Sequence, residues 1–341
     1  MEGVKEQIMA LWRCCFDDPE PFVRLYFDTR YRDGHVRVRE QEGRVVSALQ
    51  LLPYTLTCWG GEMPVAYIYG ACTHPRYRCR GEMHSLLSEV LGEMSRRRIP
   101  FSVLIPAEKQ LYDYYRRLGY APVIRRTGEV YVGVSPVASF VREYAVDDLY
   151  PFFSARMQAR SCCIQHSLPD FQFLVEEVKL SGGRTIAVAG DSGRPGGLAF
   201  VLPQEENRVM LKEWLYDSEE TRYRLLGAVS ALFPDREIHA FSPVTRSAEP
   251  SEAAGMLRIA DAAACLQRYA SAHPDVSFSY NIKDPVVSQN NALFVVGQGR
   301  CRQLPSDPDK EMTDIAALPE LLWPSGSKKF EPFPYMSLMM D

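Results

Sequence analysis

The stretch "CTHPRYRCRGEMHSLLSEVLGEMSRRR", residues 72–98, runs a strand-like end, a basic turn with one glycine and a helical pattern together. His74-Pro75 stops the apolar run "VAYIYGACT" (65–73), because proline brings no N–H to a ladder. Beyond the turn, Met83, Leu86, Leu87, Val90, Leu91 and Met94 recur at spacings of three and one, the apolar face of an amphipathic helix. Arg96, Arg97 and Arg98 fall in its last turn, where cations complement the helix dipole. Between strand and helix lie Arg78, Cys79, Arg80, Gly81, Glu82 and Met83. N–H groups at a helix start have no intrahelical partner, Gly81 lets a ligand approach the backbone, and Arg78 and Arg80 add positive charge. That combination suits a pyrophosphate, although the same spacing also serves as a solvated loop. The flanking segments decide between the two.

Upstream, "HVRVRE" (35–40), "RVVSALQLLPYTLTCW" (44–59) and "MPVAYIYGACT" (63–73) read as an antiparallel meander turned at "EGR" and "WGGE". A helix, "VKEQIMALWRCCF" (4–16), precedes them. Downstream come a strand "IPFSVLIP" (99–106), a short helix "QLYDYYRRLGY" (110–120) and a strand "GEVYVGV" (128–134) that closes a first unit. A second unit opens with "VREYAVDDLYPFFSARMQAR" (141–160), a strand leading into a helix. Strands "RTIAVAGD" (184–191), "PGGLAFVLP" (195–203) and "RVMLKEWLYD" (208–217) follow, then helix "SEETRYRLLGAVSALF" (218–233). The repeated order predicts an internal duplication. In the second turn Asp217, Glu219 and Glu220 stand where the first has Arg78, Arg80 and Gly81, and carboxylates repel a pyrophosphate, so one pyrophosphate site per chain is expected. "TRSAEPSEAAG" (245–255) reads as a linker to a third unit. That unit holds helix "MLRIADAAACLQRYA" (256–270), strands "VSFSYNIKD" (276–284) and "ALFVVGQG" (292–299), and helix "EMTDIAALPELLW" (311–323). The end, "KKFEPFPYMSLMMD" (328–341), is too apolar for a free terminus and is expected to be buried.

Composition narrows the partners. A net charge of -4 supplies no field that would attract nucleic acid or anionic lipid, so neither is expected. The 9 cysteines include no C-x-x-C pair, which argues against a zinc site or a disulfide framework and for reduced thiols in a cytoplasm, with no metal. Glu2, Lys5, Glu6, Arg13 and Asp17 leave no signal-peptide pattern, and no apolar run approaches the roughly 18 residues of a spanning helix. A soluble cytoplasmic α/β (α+β) protein is expected.

The succession of strand, "HPRYRCRG", amphipathic helix, "FSVLIPA" and "LYDYYRRLGY" resembles the GNAT acetyltransferase superfamily. There an Arg/Gln-x-x-Gly-x-Gly/Ala turn holds the pyrophosphate of acetyl-CoA. Here the turn is Arg78-x-x-Gly81-x-Met83, without the final small residue. That departure is similar to the mycobacterial enhanced-intracellular-survival subfamily, whose Arg-Arg-Arg-Gly turn is followed by larger residues. "YYRRLGYAPV" likewise resembles that subfamily's Tyr-Gly-Arg-Phe-Gly-Tyr-Gly-Pro. "GMLRIADAAACLQRY", "DPVVSQNNALFVVG" and "MTDIAALPELLWP" resemble its last domain, which is like sterol carrier protein. The likeness covers nearly the whole chain, with its most specific motifs at residues 70–83 and 112–122. It implies a catalytic acetyltransferase domain at 1–137 and a degenerate second one at 138–247. It also implies a sterol-carrier-like domain at 248–341 whose tail docks into the active site.

Acetyl transfer to an amine needs a neutral amine, a stabilised oxyanion and a proton for the leaving thiolate. The resemblance implies that Ala71, Cys72 and Thr73 pair with the pantetheine arm, and that Arg78, Cys79, Arg80, Gly81, Glu82 and Met83 hold the pyrophosphate of acetyl-CoA. It also implies Tyr115, five residues before Tyr120, as general acid, since a phenol with pKa about 10 suits protonation of a thiolate. Spacing alone leaves Tyr112 and Tyr114 open, and clustered tyrosines also simply pack. For the base, the resemblance points to the terminal carboxylate of Asp341; His74 and His84 read as structural or exposed. Phe16, Asp18 and Gly70 match the amine pocket, with helix capping by Asp17 or Asp18 as the other reading. The expected function is acetyl-CoA-dependent N-acetylation of a small-molecule or peptide amine (an aminoglycoside, a polyamine or a lysine) by a homo-oligomer, up to a hexamer. The alternative class is a non-catalytic sensor of acyl-CoA and lipid.

Overall fold

The computed structural model describes residues 3–191, 193–205, 207–246, 249–324 and 331–340. Helix α1 (Val4–Cys15) buries Ile8, Leu11 and Trp12 on one face. A second helix, α2 (Glu20–Thr29), follows behind Pro19 and buries Val23, Tyr26 and Phe27; sequence reading passed over it. Strands β1 (Val36–Gln41), β2 (Arg44–Cys58) and β3 (Gly61–Thr73) form the expected antiparallel meander. Both turns are two-residue loops, Glu42-Gly43 and Trp59-Gly60, with positive φ at every position, the twist that matches hairpin strands.

Helix α3 (Glu82–Arg96) then carries the chain across the sheet to β4 (Phe101–Leu104), which lies parallel to β3. After α4 (Lys109–Arg116), strand β5 runs over Ala121–Tyr131, starting well before the expected "GEVYVGV". The next elements are α5 (Val146–Gln158), β6 (Cys163–Gln165), α6 (Leu168–Leu180), β7 (Arg184–Ala189), β8 (Pro195–Gln204), β9 (Arg208–Tyr216), α7 (Glu219–Leu232) and β10 (Glu237–Pro243). Geometry repeats here as well. β7, β8 and β9 are antiparallel neighbours, α7 follows, and β10 returns parallel to β9, as β4 does to β3.

The largest departure from expectation comes next. Residues 256–259, expected to open a helix, instead belong to strand β11 (Glu252–Ile259), as does the end of the stretch read as a linker. Met256, Leu257 and Ile259 are fully buried, and β11 is antiparallel to both β4 and β5. A short apolar run buried on both faces carries no period that separates strand from helix. Asp261 then accepts from the Ala264 N–H and sets the start of α8 (Ala262–Ala272). Strands β12 (Phe278–Lys283), β13 (Leu293–Gly297), β14 (Arg300–Leu304) and β15 (Met312–Asp314) make a second sheet in the order β14-β13-β12-β15. "EMTDIAALPELLW" is therefore not one helix: it splits into β15 and the five-residue α9 (Leu318–Leu322).

The first sheet has the order β1-β2-β3-β4-β11-β5-β10-β9-β8-β7, with β6 paired to β2. Its arrangement with the flanking helices is mixed α/β. Among the described residues, no helix is long and apolar enough to cross a membrane. The tail threads between the halves: Phe333, Tyr335, Met336, Leu338, Met339 and Met340 are all buried, as its composition predicts.

One buried ion pair ties β11 to the second sheet and to the end of α4. Arg258 is fully buried, and its Nη2 donates to both oxygens of Asp284 at 2.8 Å. Its Nε donates to the Leu118 carbonyl at 2.6 Å and its Nη1 to the Ile259 carbonyl at 2.8 Å. Asp284 also accepts from the N–H groups of Val286 and Val287 and from Asn290, so every strong group is satisfied. Removing one partner strands a buried charge. Asp284→Ala is expected to lower unfolding free energy by about 3–5 kcal/mol in a denaturant titration, and a loss under about 1 kcal/mol would show that Arg258 is not left as an uncompensated buried charge.

Candidate active site

The site grows from the place where two parallel strands part. β3 pairs with β4 only over Val65, Ala66 and Tyr67, opposite Phe101, Ser102 and Val103. β3 runs on to Thr73 with β2 still on its other edge, so the backbone of residues 68–73 has a free edge towards β4. Opposite Leu49 the strand carries an extra residue: Ala48 pairs with Cys72 and Gln50 with Tyr69, leaving Gly70 and Ala71 as a bulge. Gly70 has φ 57°, and a Cβ there would come within 2.3 Å of the Trp12 ring, so both backbone and packing demand glycine. The bulge re-aims the strand at the point where it loses its partner.

The basic turn lies at the far end of this free edge. Arg78 Nε donates to the Thr73 carbonyl at 3.1 Å, and Arg80 lies over the Tyr77 ring at 5.3 Å. Both arginines, Cys79 and Gly81 are exposed. Cys79 and Gly81 take positive φ (60° and 82°), and Gly81 caps α3 without any side-chain hydrogen bond. The first N–H groups of α3, at Glu82 and Met83, thus have no side-chain cap among the described residues. Glu82 itself accepts from Gln41 and faces Arg39 at 3.8 Å.

One face of the free edge looks toward α3 and α4. Leu49, Ile68, Leu86, Leu104 and Tyr115 share a buried cluster there, and Ala71, Met83, Tyr112 and Tyr114 pack against it. Of the three candidate tyrosines, Tyr115 is the buried one, its ring 5.7 Å from that of Tyr120. Burial, with smaller contributions from Tyr120 and Tyr114, pushes its phenol well above the usual value and keeps it protonated.

The opposite face looks toward α1 and α2, and Trp12 organises it. Its Nε1 donates to Asp18 at 2.8 Å, its ring lies 4.9 Å from Phe16, and it closes on Gly70. The three expected amine-pocket residues therefore meet around one indole that sequence reading had used only as a helix face. Tyr26 and Tyr69 each lie 5.3 Å from the same ring. The Tyr26 hydroxyl is buried with no hydrogen-bond partner among the described residues. Tyr67 and Tyr69, two apart on β3, stack at 5.8 Å. Alternation along the strand would have placed them on this face.

Asp341 lies outside the described residues. The chain just before it does reach the site: Tyr67, the last β3 residue paired with β4, donates its hydroxyl to the Met340 carbonyl at 2.6 Å. The second half holds this tail. Tyr335 N–H donates to Cys162, Ile164 N–H to Tyr335, His166 Nε2 to the Ser337 carbonyl at 3.0 Å, and the Ser337 hydroxyl to Glu213 at 2.6 Å. Glu213 is fully buried and takes two hydrogen bonds from Arg160. At the start of α7, where a second phosphate turn would lie, Glu219 and Glu220 pair with Arg222 and Arg224.

A further thiol sits where the two faces meet. Cys15 Sγ donates to the Thr73 carbonyl at 3.4 Å, the same acceptor that Arg78 uses. A hydrogen bond from the buried Cys72 thiol and the nearby Arg78 bring its pKa down to about 6, while Cys72 is pushed up. Alkylation of Cys15 by iodoacetamide, followed peptide by peptide, should therefore rise through a midpoint near pH 6. Arg78→Ala should move the midpoint upward. A wild-type midpoint at about 8.5, the free-thiol value, would contradict this geometry.

Residues 2–123 match the family model of an acetyltransferase (GNAT) domain. No curated protein sequence matches the chain. Among solved structures, a GCN5-related N-acetyltransferase from Anabaena variabilis is 19% identical with a TM-score of 0.72, covering 97% of this chain and 96% of that one. A GCN5-related N-acetyltransferase from Kribbella flavida is 20% identical with a TM-score of 0.71, covering 98% and 95%. Eis1 from Mycobacterium abscessus is 15% identical with a TM-score of 0.69, covering 92% and 85%. The likeness in fold spans nearly the whole chain.

Proposed function

We propose that this chain transfers an acetyl group from acetyl-CoA to a primary amine by direct attack of the amine on the thioester. The observation that carries this reading is the free edge of β3, with an uncapped basic helix start at one end and the bulge at the other. An extended amide-bearing arm adds to a free strand edge as another strand would, so the pantetheine pairs with Ala71, Cys72 and Thr73. Its pyrophosphate meets the N–H groups and arginines of residues 78–83. The thioester then lies near Gly70, between the Tyr115 face and the Trp12 face.

The amine enters from the Trp12 side. Asp18, the ring of Phe16 and the unpartnered Tyr26 hydroxyl offer a cation a charge, a π face and an acceptor. An aminoglycoside, polyamine or lysine side chain fits that chemistry. As the nitrogen bonds to the carbonyl carbon, the C–S bond breaks and the thiolate takes the Tyr115 proton. The proton lost from nitrogen goes to the terminal carboxylate of Asp341, one residue beyond the Met340 carbonyl held by Tyr67. The domains at 1–137, 138–247 and 248–341 divide the work in this reading: the first binds coenzyme, the second anchors the tail, and the sterol-carrier-like third supplies it.

Release of coenzyme thiol, followed with spermidine, kanamycin and Nα-acetyl-lysine as acceptors, tests the reading. Turnover is expected on at least one. Arg78→Ala and Arg80→Ala should each weaken coenzyme binding by about 1.5–3 kcal/mol in calorimetry, as loss of one charge-assisted hydrogen bond does. Tyr115→Phe should lower kcat on the order of 10²-fold with little change in amine KM. Unchanged coenzyme affinity in the Arg78→Ala, Arg80→Ala double variant would overturn the proposal.

A further inference from the structure

Away from this site, the tip of the β2–β3 hairpin walls a cavity of about 650 Å³. Two thiols line it. Cys58 ends β2 and Cys162 immediately precedes β6, and the neighbouring residues Thr57 and Cys163 are paired across these antiparallel strands. The two cysteines therefore occupy the next opposed positions, and their Sγ atoms are 3.6 Å apart. Opposed positions on antiparallel strands hold their Cα atoms about 4.5–5.5 Å apart, inside the range that a disulfide spans. We propose that Cys58 and Cys162 form an oxidative cross-linking site, at which a peroxide entering the cavity joins β2 to β6 through a disulfide.

The chemistry balances with the peroxide as two-electron acceptor. The Cys162 thiolate, on the slightly more open residue, attacks a peroxide oxygen; the O–O bond breaks and the released hydroxide takes up the thiol proton as water. The resulting sulfenic acid is attacked by the Cys58 sulfur. The S–S bond forms, the S–O bond breaks, and a second water carries away the remaining proton and hydroxide. Burial holds the Cys162 thiol protonated, so the first step is slow and gains speed in alkaline buffer. The exposed Cys14 and Cys79 have no such barrier of access and react earlier. Cys163 belongs to a different buried cluster, with Leu149 and Phe153, and cannot compete for the same partner.

The cross-link would have a consequence beyond the hairpin. The Cys162 carbonyl accepts the Tyr335 N–H at 3.0 Å, and Ile164 N–H returns to the Tyr335 carbonyl at 3.0 Å. Joining Cys58 to Cys162 fixes the segment that grips the tail and closes a loop of about 100 residues, which restricts the unfolded chain.

The test treats the intact protein with hydrogen peroxide at pH 8, blocks remaining thiols with N-ethylmaleimide and maps peptides without reduction. A peptide containing Cys58 joined to one containing Cys162 is expected, with a rise in Tm of about 5 °C that dithiothreitol reverses. Cys58→Ser should abolish both effects, and Cys163→Ser neither. The peptide map on unmutated protein stands even where a variant folds poorly. If Cys14 and Cys79 are oxidised while Cys58 and Cys162 remain fully alkylated after unfolding, the proposal fails. It fails equally if Cys162 is recovered joined to Cys163, or if Cys15 joined to Cys72 is the sole link.

Discussion

The parting of β3 from β4 after Tyr67 is the constraint on which the rest of the molecule depends. A parallel pair needs a crossover, and α3 supplies it; the price of parting is a strand edge with no neighbouring strand among the described residues. The bulge at Gly70-Ala71 turns the strand as it loses its partner, and Trp12 fills the space that any side chain at Gly70 would need. The same parting leaves the start of α3 open at Gly81, with Arg78 and Arg80 beside it. One backbone feature thereby leaves a free strand edge, an uncapped basic helix start and two separate faces, which the proposed function assigns to the amide arm, the pyrophosphate and the donor and acceptor.

The second half of the chain repeats this geometry and puts it to another use. β9 and β10 pair in parallel only as far as Leu211 and Ala240, so β9 too runs on to Tyr216 with only β8 beside it. Beyond that point Glu213 takes the Ser337 hydroxyl and the Arg160 guanidinium. Carboxylates occupy the start of α7. The place that the first half leaves open is here filled by side chains and the tail. β11 joins the two halves by lying antiparallel to β4 and β5, and the Arg258–Asp284 pair secures it to the smaller sheet.

Much of this was legible in residues 35–98. Period-two patterning and the Glu42-Gly43 and Trp59-Gly60 turns define the meander, and Gly81 just after Arg78 and Arg80 marks the turn. The burial of the tail was readable from its composition, because a run such as "FPYMSLMM" cannot remain in water without cost. β11 was not legible: Met256, Leu257 and Ile259 are buried on both faces, and such a run shows no period. α6 was missed although Ser167 and Asp170 form a reciprocal cap at its start, a local signal that was present. The meeting of Phe16, Asp18 and Gly70 around Trp12 depends on how α1 lies against β3, which spacing along one segment does not encode.

The most direct measurement is a crystal structure with coenzyme A bound. The account places the pantetheine amides against the backbone of Ala71, Cys72 and Thr73, and the pyrophosphate on the N–H groups of residues 78–83, with its sulfur near Gly70. Coenzyme bound instead along β9 at the start of α7, or lying across the surface without pairing to β3, would contradict it.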